Sequence, residues 1–237
     1  MYTHGYYGYG LDPTYILVLI GAVLCMLASA KVKTTYSKYA RVRSMSGMTG
    51  AQVAMEILRR NGIHDVAVVH VPGELSDHFD PRNNTVNLSD STYGSTSVAA
   101  IGVAAHECGH VVQHHTGYVP IKIRSALVPA ANIGSKIGLP IIILGIIIGL
   151  TPLAKIGIWV FSIAVAFQLV TLPVEFDASH RALVMLSEYG ILAQDEVDQS
   201  RKVLNAAALT YVAAAASSIL QLLRLVLIVN GGRRDRR

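Results

Sequence analysis

Charge is scarce in this chain. Asp, Glu, Lys and Arg make up 15% of its 237 residues, against roughly 25% in an ordinary soluble domain. Apolar residues reach 52% and mean hydropathy is +0.44, a balance that excludes a soluble globular protein and predicts a membrane protein. Cysteine is nearly absent: Cys25 and Cys108 both fall in apolar segments, too few and too ill placed for a disulfide framework. Cys108 reads most simply as a small packing residue. Aromatics amount to 7% and are not interleaved with a basic stripe, so the net charge of +5 does not signal nucleic-acid binding. There is no internal repeat and no glycine-rich loop suited to phosphate. Residues 1–10 hold no Lys or Arg, so the apolar run after them lacks the positive start of a secretory signal, although Ala28-Ser29-Ala30 resembles a cleavage site.

What the chain does have is long apolar stretches with basic residues at their ends. The first, 14–30, has about the minimum length for a span. Lys31, Lys33, Lys38, Arg41 and Arg43 follow it, so the positive-inside rule makes it an uncleaved anchor with its N-terminus outside and the following residues cytoplasmic. The tyrosines of 1–10 are expected at the membrane interface. A second stretch, 127–150, contains Pro129, Asn132 and Lys136; 151–155 reads as a tight turn and 156–172 as the return. A further run, 206–229, is taken as a fourth span, although Gln221 and Arg224 interrupt it. A full crossing there leaves Arg233, Arg234, Arg236 and Arg237 outside, against the charge rule.

Between the spans lies less apolar material. Residues 49–61 form an amphipathic helix with Thr49 as N-cap and Gly62 as its stop. Two strand-like stretches, 66–71 and 85–88, flank the turn-rich SDHFDPRNN. The second, as Asn84, Thr85, Val86, Asn87 and Leu88, either pairs with an extended peptide by strand addition or serves as a structural hairpin. The expected fold is a mainly α membrane protein: a zincin-like catalytic region with a small antiparallel β-sheet, packed on three or four transmembrane helices. Five regions are expected: tail and first helix (1–30), cytoplasmic region (31–126), transmembrane hairpin (127–172), cytoplasmic helices (173–205), and C-terminal helix with basic tail (206–237).

The stretch 104–113 reads AAHECGHVVQ and holds His106, Glu107 and His110 as H-E-x-x-H. On a helix, residues four apart share a face, so both imidazoles can bind one metal ion. Glu107 points roughly 100° around the axis, beside the metal's open position. Residues 97–112 are apolar on nearly every face, which predicts a buried helix. Three ionisable groups there are costly unless paired, and one divalent cation satisfies all three. The alternative is two core histidines bonded to backbone, with Glu107 paired elsewhere. Zinc suits imidazole and carboxylate ligands. A third ligand is needed, and Thr116 occupies the metzincin position while Gln113 replaces the glycine of that pattern. Glu175, in LPVEFDASHRA, is the first candidate: Pro173 ends the preceding run and Glu175 opens a new helix. Glu175 could instead complement that helix's dipole. Asp177 competes, but its i,i+4 spacing to Arg181 gives it another partner. His114 and His115 either orient the ligands or face solvent.

These segments resemble the YugP-like neutral zinc metallopeptidases, a membrane family. The resemblance runs over most of the chain through SDHFDPRNNTVNLS, AAHECGHVVQH, RSALVPAANIGS, EFDASHRAL and AAALTYVAA. More distantly the chain is similar to gluzincin membrane proteases, among them the prenyl-protein endopeptidases, with H-E-x-x-H followed by E-F-x-A-D. The resemblance implies His106, His110 and Glu175 as ligands of one zinc and Glu107 as general base. One position departs: Ser179 stands where the pattern has aspartate. The implied activity is proteolysis; with the topology read from the charges, the expected function is endopeptidase cleavage by a zinc-activated water at the cytoplasmic membrane surface. His180, Arg181, Tyr211 and His114 are candidate oxyanion or orienting groups. Peptides or proteins, membrane proteins included, are the expected substrates, and the lipid bilayer is the expected surrounding partner. A different class of function, a membrane scaffold or chaperone-like protein, would hold structural zinc in a closed site completed by His114 or Asp177.

Overall fold

Apolar helices dominate the computed structural model, which describes residues 12–231. The tyrosine-rich start and the arginine tail beyond 231 lie outside the described residues. In chain order the elements are α1 (Tyr15–Tyr39), α2 (Gly50–Arg60), β1 (Ala67–His70), β2 (His78–Asp80), β3 (Thr85–Leu88), α3 (Val98–His115), α4 (Val119–Ile147), α5 (Thr151–Glu188) and α6 (Gln194–Gly231). Four of them, α1, α4, α5 and α6, are long and apolar enough to cross a membrane.

Small residues let these helices approach. A Cβ added at Gly21 of α1 would come within 2.6 Å of Ser217 Oγ on α6, and one at Gly145 of α4 within 2.5 Å of the Ala154 nitrogen on α5. Such contacts replace hydrophobic burial where the solvent is itself apolar. Arg224, the charge inside α6, stacks its guanidinium 4.1 Å from the Tyr15 ring of α1, which keeps a cation within the bundle.

Two expected helix boundaries are absent. Pro173 does not end the apolar run: α5, 38 residues long in all, continues through it to Glu188, so Glu175 lies within the helix. The ring leaves the Leu169 carbonyl without its usual donor, a loss offset by packing on both sides of the proline, against α4 before it and α3 after it. Likewise the expected boundary between the cytoplasmic helices (173–205) and the span 206–229 falls inside one helix, α6, which starts at Gln194. Residues 151–155 are not the turn but the first turn of α5, where Pro152 needs no hydrogen-bond partner. The chain reverses just before, at Gly149, with φ 72°.

The region between α1 and α4 packs on the inner ends of α5 and α6. Thr49 caps α2 in a capping box with Gln52, as its sequence predicts. The sheet is mixed rather than antiparallel, in the order β1-β3-β2: β1 runs parallel to β3 and β2 antiparallel to it. The segment SDHFDPRNN supplies β2 itself, a strand three residues long and too short to show alternation. Asn84, with φ 51°, turns the chain from β2 into β3. Because β3 is central, residues 84–88 have no free edge for a peptide; the outer sides of β1 and β2 are free instead. Ile57, Val86, Leu88, Ile101, Val111 and Leu186 form the core here, and 14 of the 18 residues of α3 are buried.

Candidate metal centre

α3 carries His106, Glu107 and His110, and α5 crosses it at Glu175. The crossing is close because the motif contains Gly109: a Cβ there would lie 2.4 Å from the Ala178 carbonyl oxygen of α5. The neighbouring Cys108 is buried, and burial pushes its thiol pKa well up, so it packs and does not react.

Glu175 Oε2 lies 3.4 Å from His106 Nε2 and 3.5 Å from His110 Nε2. The same oxygen is buried and has no hydrogen-bond partner. Ligands held at about 2.0–2.1 Å by a tetrahedral zinc stand about 3.4 Å apart, which is the spacing seen. The three groups therefore fit a zinc ion. Charge agrees with geometry: burial disfavours an imidazolium at His110, yet the Glu175 carboxylate and the nearby Glu107 hold its pKa above the ordinary value. The site wants a positive charge.

Both rings are held from behind. His106 Nδ1 is 3.1 Å from Ser179 Oγ and His110 Nδ1 is 3.0 Å from Gln113 Oε1. With Nδ1–H donating to these oxygens, each Nε2 lone pair faces Glu175. Gln113 is itself fixed, its Nε2 donating to the Val174 carbonyl and to Asp177 Oδ2, both at 2.8 Å. Arg181 closes the chain with an ion pair to Asp177 at 2.6 Å and its guanidinium 5.6 Å from the Tyr118 ring. Asp177 is thus occupied away from the imidazoles. Ser179 makes the contact available to the aspartate of the related pattern.

Glu107 is buried but stands outside the cluster of three. Its Oε2 accepts a 3.0 Å hydrogen bond from the Phe79 backbone N–H of β2, and it lines the same cavity as His106 and Glu175. That cavity, about 160 Å³, also receives Arg124, Tyr211 and His114. Arg124 approaches Glu175 Oε1 at 3.8 Å and leaves its buried Nε unpartnered. Nothing local in the sequence singles out Arg124, because no pattern there ties α4 to α5. Of the other candidates, His114 sits exposed at the rim with Phe79 at 5.8 Å, Arg181 is tied to Asp177, and His180 is exposed and lines neither cavity at the site.

Helix rise places the centre in depth. At 1.5 Å per residue, Glu175 lies about 36 Å along α5 from its Thr151 end, Arg124 about 35 Å along α4 from its Ile147 end and Tyr211 about 30 Å along α6 from its Gly231 end. Each distance is about one hydrocarbon thickness. The cluster therefore lies about one span's length from the far end of each of these helices.

A family profile described as "Putative neutral zinc metallopeptidase" matches residues 14–230. The chain is 44% identical over 220 residues to a Bacillus subtilis (strain 168) protein described as "Putative membrane protease YugP", covering 92% of this chain and 98% of that one. No solved structure matches. With family profile and relative both spanning nearly its whole length, the chain belongs to this neutral zinc metallopeptidase family.

Proposed function

We propose that the protein is a membrane-embedded zinc endopeptidase of gluzincin type whose active site lies at the cytoplasmic surface. The observation that carries this reading is the orphaned Glu175 Oε2 facing two imidazole nitrogens. His106, His110 and Glu175 would hold one zinc ion, which supplies Lewis acidity and brings the pKa of a water to roughly 7. Glu107 is the general base. Its carboxylate, oriented by the Phe79 N–H, takes the proton from the attacking water and returns it to the leaving amide nitrogen. Tyr211 and Arg124, on the wall shared with the ligands, are donors placed to stabilise the oxyanion. The free outer edge of β2, next to Glu107, is the strand along which a peptide can align.

Orientation rests on charge. Lys31, Lys33, Lys38, Arg41 and Arg43 follow the first span on the side where the metal cluster lies, which supports a cytoplasmic site. A scaffold with structural zinc needs a fourth protein ligand. Asp177 is engaged by Gln113 and Arg181, and His114 stands at the rim, so neither supports a closed site.

Metal analysis and digestion of casein or a membrane protein test the proposal directly. Glu107→Gln is expected to keep zinc at wild-type stoichiometry and to lose peptidase activity. A fully active variant would remove Glu107 from the mechanism.

A further inference from the structure

Two unlike cavities meet at the metal cluster. One is the polar cavity of about 160 Å³ beside β2, with Arg124 and His114. The other, about 180 Å³, shares His106, Glu107, Glu175 and Tyr211 with it and is otherwise walled mainly by Val32, Leu75, Val103, Leu204, Ala207 and Ala208. Its walls come from α1, α3, α6 and the loop after β1. An apolar cavity of about 150 Å³ is enough to hold a benzene ring, so this one has room for a single bulky side chain. At its outer end Val32 and Leu75 also border a third cavity of about 600 Å³, which follows α1 past Ser29, Tyr36 and Ser37. Val32 and Leu75 thus stand between the apolar chamber and the flank of α1.

Leu75 stands at the junction. Its backbone is left-handed, φ 54°, and its side chain is 48% exposed, so this leucine is held at the rim and not packed away. An apolar rim beside an apolar chamber suits a side chain that is itself apolar, whereas the cavity beyond it is lined in part by the charged Lys33, Arg41 and Glu74. Resting on the peptidase reading, we infer that the substrate carries a large aliphatic or aromatic residue next to the scissile bond, and that the chamber between α1, α3 and α6 receives it. Ala207, Ala208 and Val103 set the size limit, since small residues on α6 leave the volume that a larger one would fill. The remainder of the substrate lies along α1 on one side and in the polar cavity on the other.

Hydroxamates test this because the hydroxamate group anchors on the metal and fixes which side chain meets the chamber. Glycine, leucine and phenylalanine hydroxamates would be titrated against the zinc-loaded, full-length protein in lipid nanodiscs. Leucine and phenylalanine compounds are expected to bind at least about tenfold more tightly than the glycine compound. Ala207→Phe should erase that preference, and Val103→Ala should move it towards phenylalanine, so a folding failure in one variant leaves the other as the test. Equal affinities in the wild type, no binding at all, or a preference that survives Ala207→Phe would overturn the inference. Peptides varied at the same position complete the experiment through their kcat/KM ratios. Cleavage indifferent to the side chain sinks the pocket and spares the peptidase; side-chain preference in binding without any cleavage does the reverse.

Discussion

Gln113 shows how a single side chain can matter more than its sequence context suggests. It breaks the metzincin pattern and looks like a vacancy. In the fold it accepts from His110 and donates to Val174 and Asp177, with both ends used. Outer hydrogen bonds of this kind typically change metal affinity by about 10–100-fold when removed. Gln113→Leu keeps the volume and loses the bonds, so zinc affinity should fall within that range in a competition titration with a chelator. An unchanged affinity would reduce Gln113 to packing. Ser179 was equally illegible, because its partner His106 is 73 residues away in sequence. The pair His106 and His110 needed no such help, since their spacing alone puts them on one face.

The pH response follows from the same residues. Glu175 and Glu107 raise the pKa of His110 above its ordinary value. Without metal, a proton on that ring stabilises the fold fully below the unfolded pKa, and the contribution is lost as pH rises through the folded pKa. Zinc replaces the proton above that point. The difference in Tm between zinc-loaded and chelator-stripped protein should therefore widen as pH rises through the histidine range. A gap independent of pH would separate His110 from the metal.

At the scale of elements, the decisive contact is the crossing of α3 and α5. Gly109 lets the Ala178 backbone lie against the motif helix. Gly109→Val must push α5 away, and His110 can then no longer share an ion with Glu175. The expected result is loss of zinc from the purified variant together with a lowered Tm; retained stoichiometry would show that the crossing tolerates the shift. This contact could not be read from the chain, where the glycine is merely one of two free positions in the motif. Helix ends were also misleading. Pro173 is a strong local stop, yet tertiary packing carries α5 through it, which a local rule does not weigh. The sheet was half legible. The β3 stretch announced itself, whereas the three residues of β2 carried no period, and so the mixed order and the true edge were hidden.

For the whole molecule, long apolar runs made the membrane class plain and the return of the chain after the hairpin put Glu175 beside the histidines. The sidedness proposed above can be probed by cysteine labelling of intact cells. Leu150→Cys, at the turn between α4 and α5, should react with an impermeant maleimide from outside. Met45→Cys, where the side chain is exposed near the start of the sheet region, should react only after permeabilisation. The unmodified chain, with Cys25 and Cys108, is the blank. Labelling with the two sites exchanged would turn the active site to the outer face.

Two of the three metal-facing groups ride on a short helix rooted in the water-exposed sheet region, and the third on a 38-residue rod planted in lipid. A cation gripped by both is a rivet between two phases. Its presence would fasten the aqueous half of the molecule to the bilayer half, so any stress that tilts the rod within the lipid would be felt first at the metal.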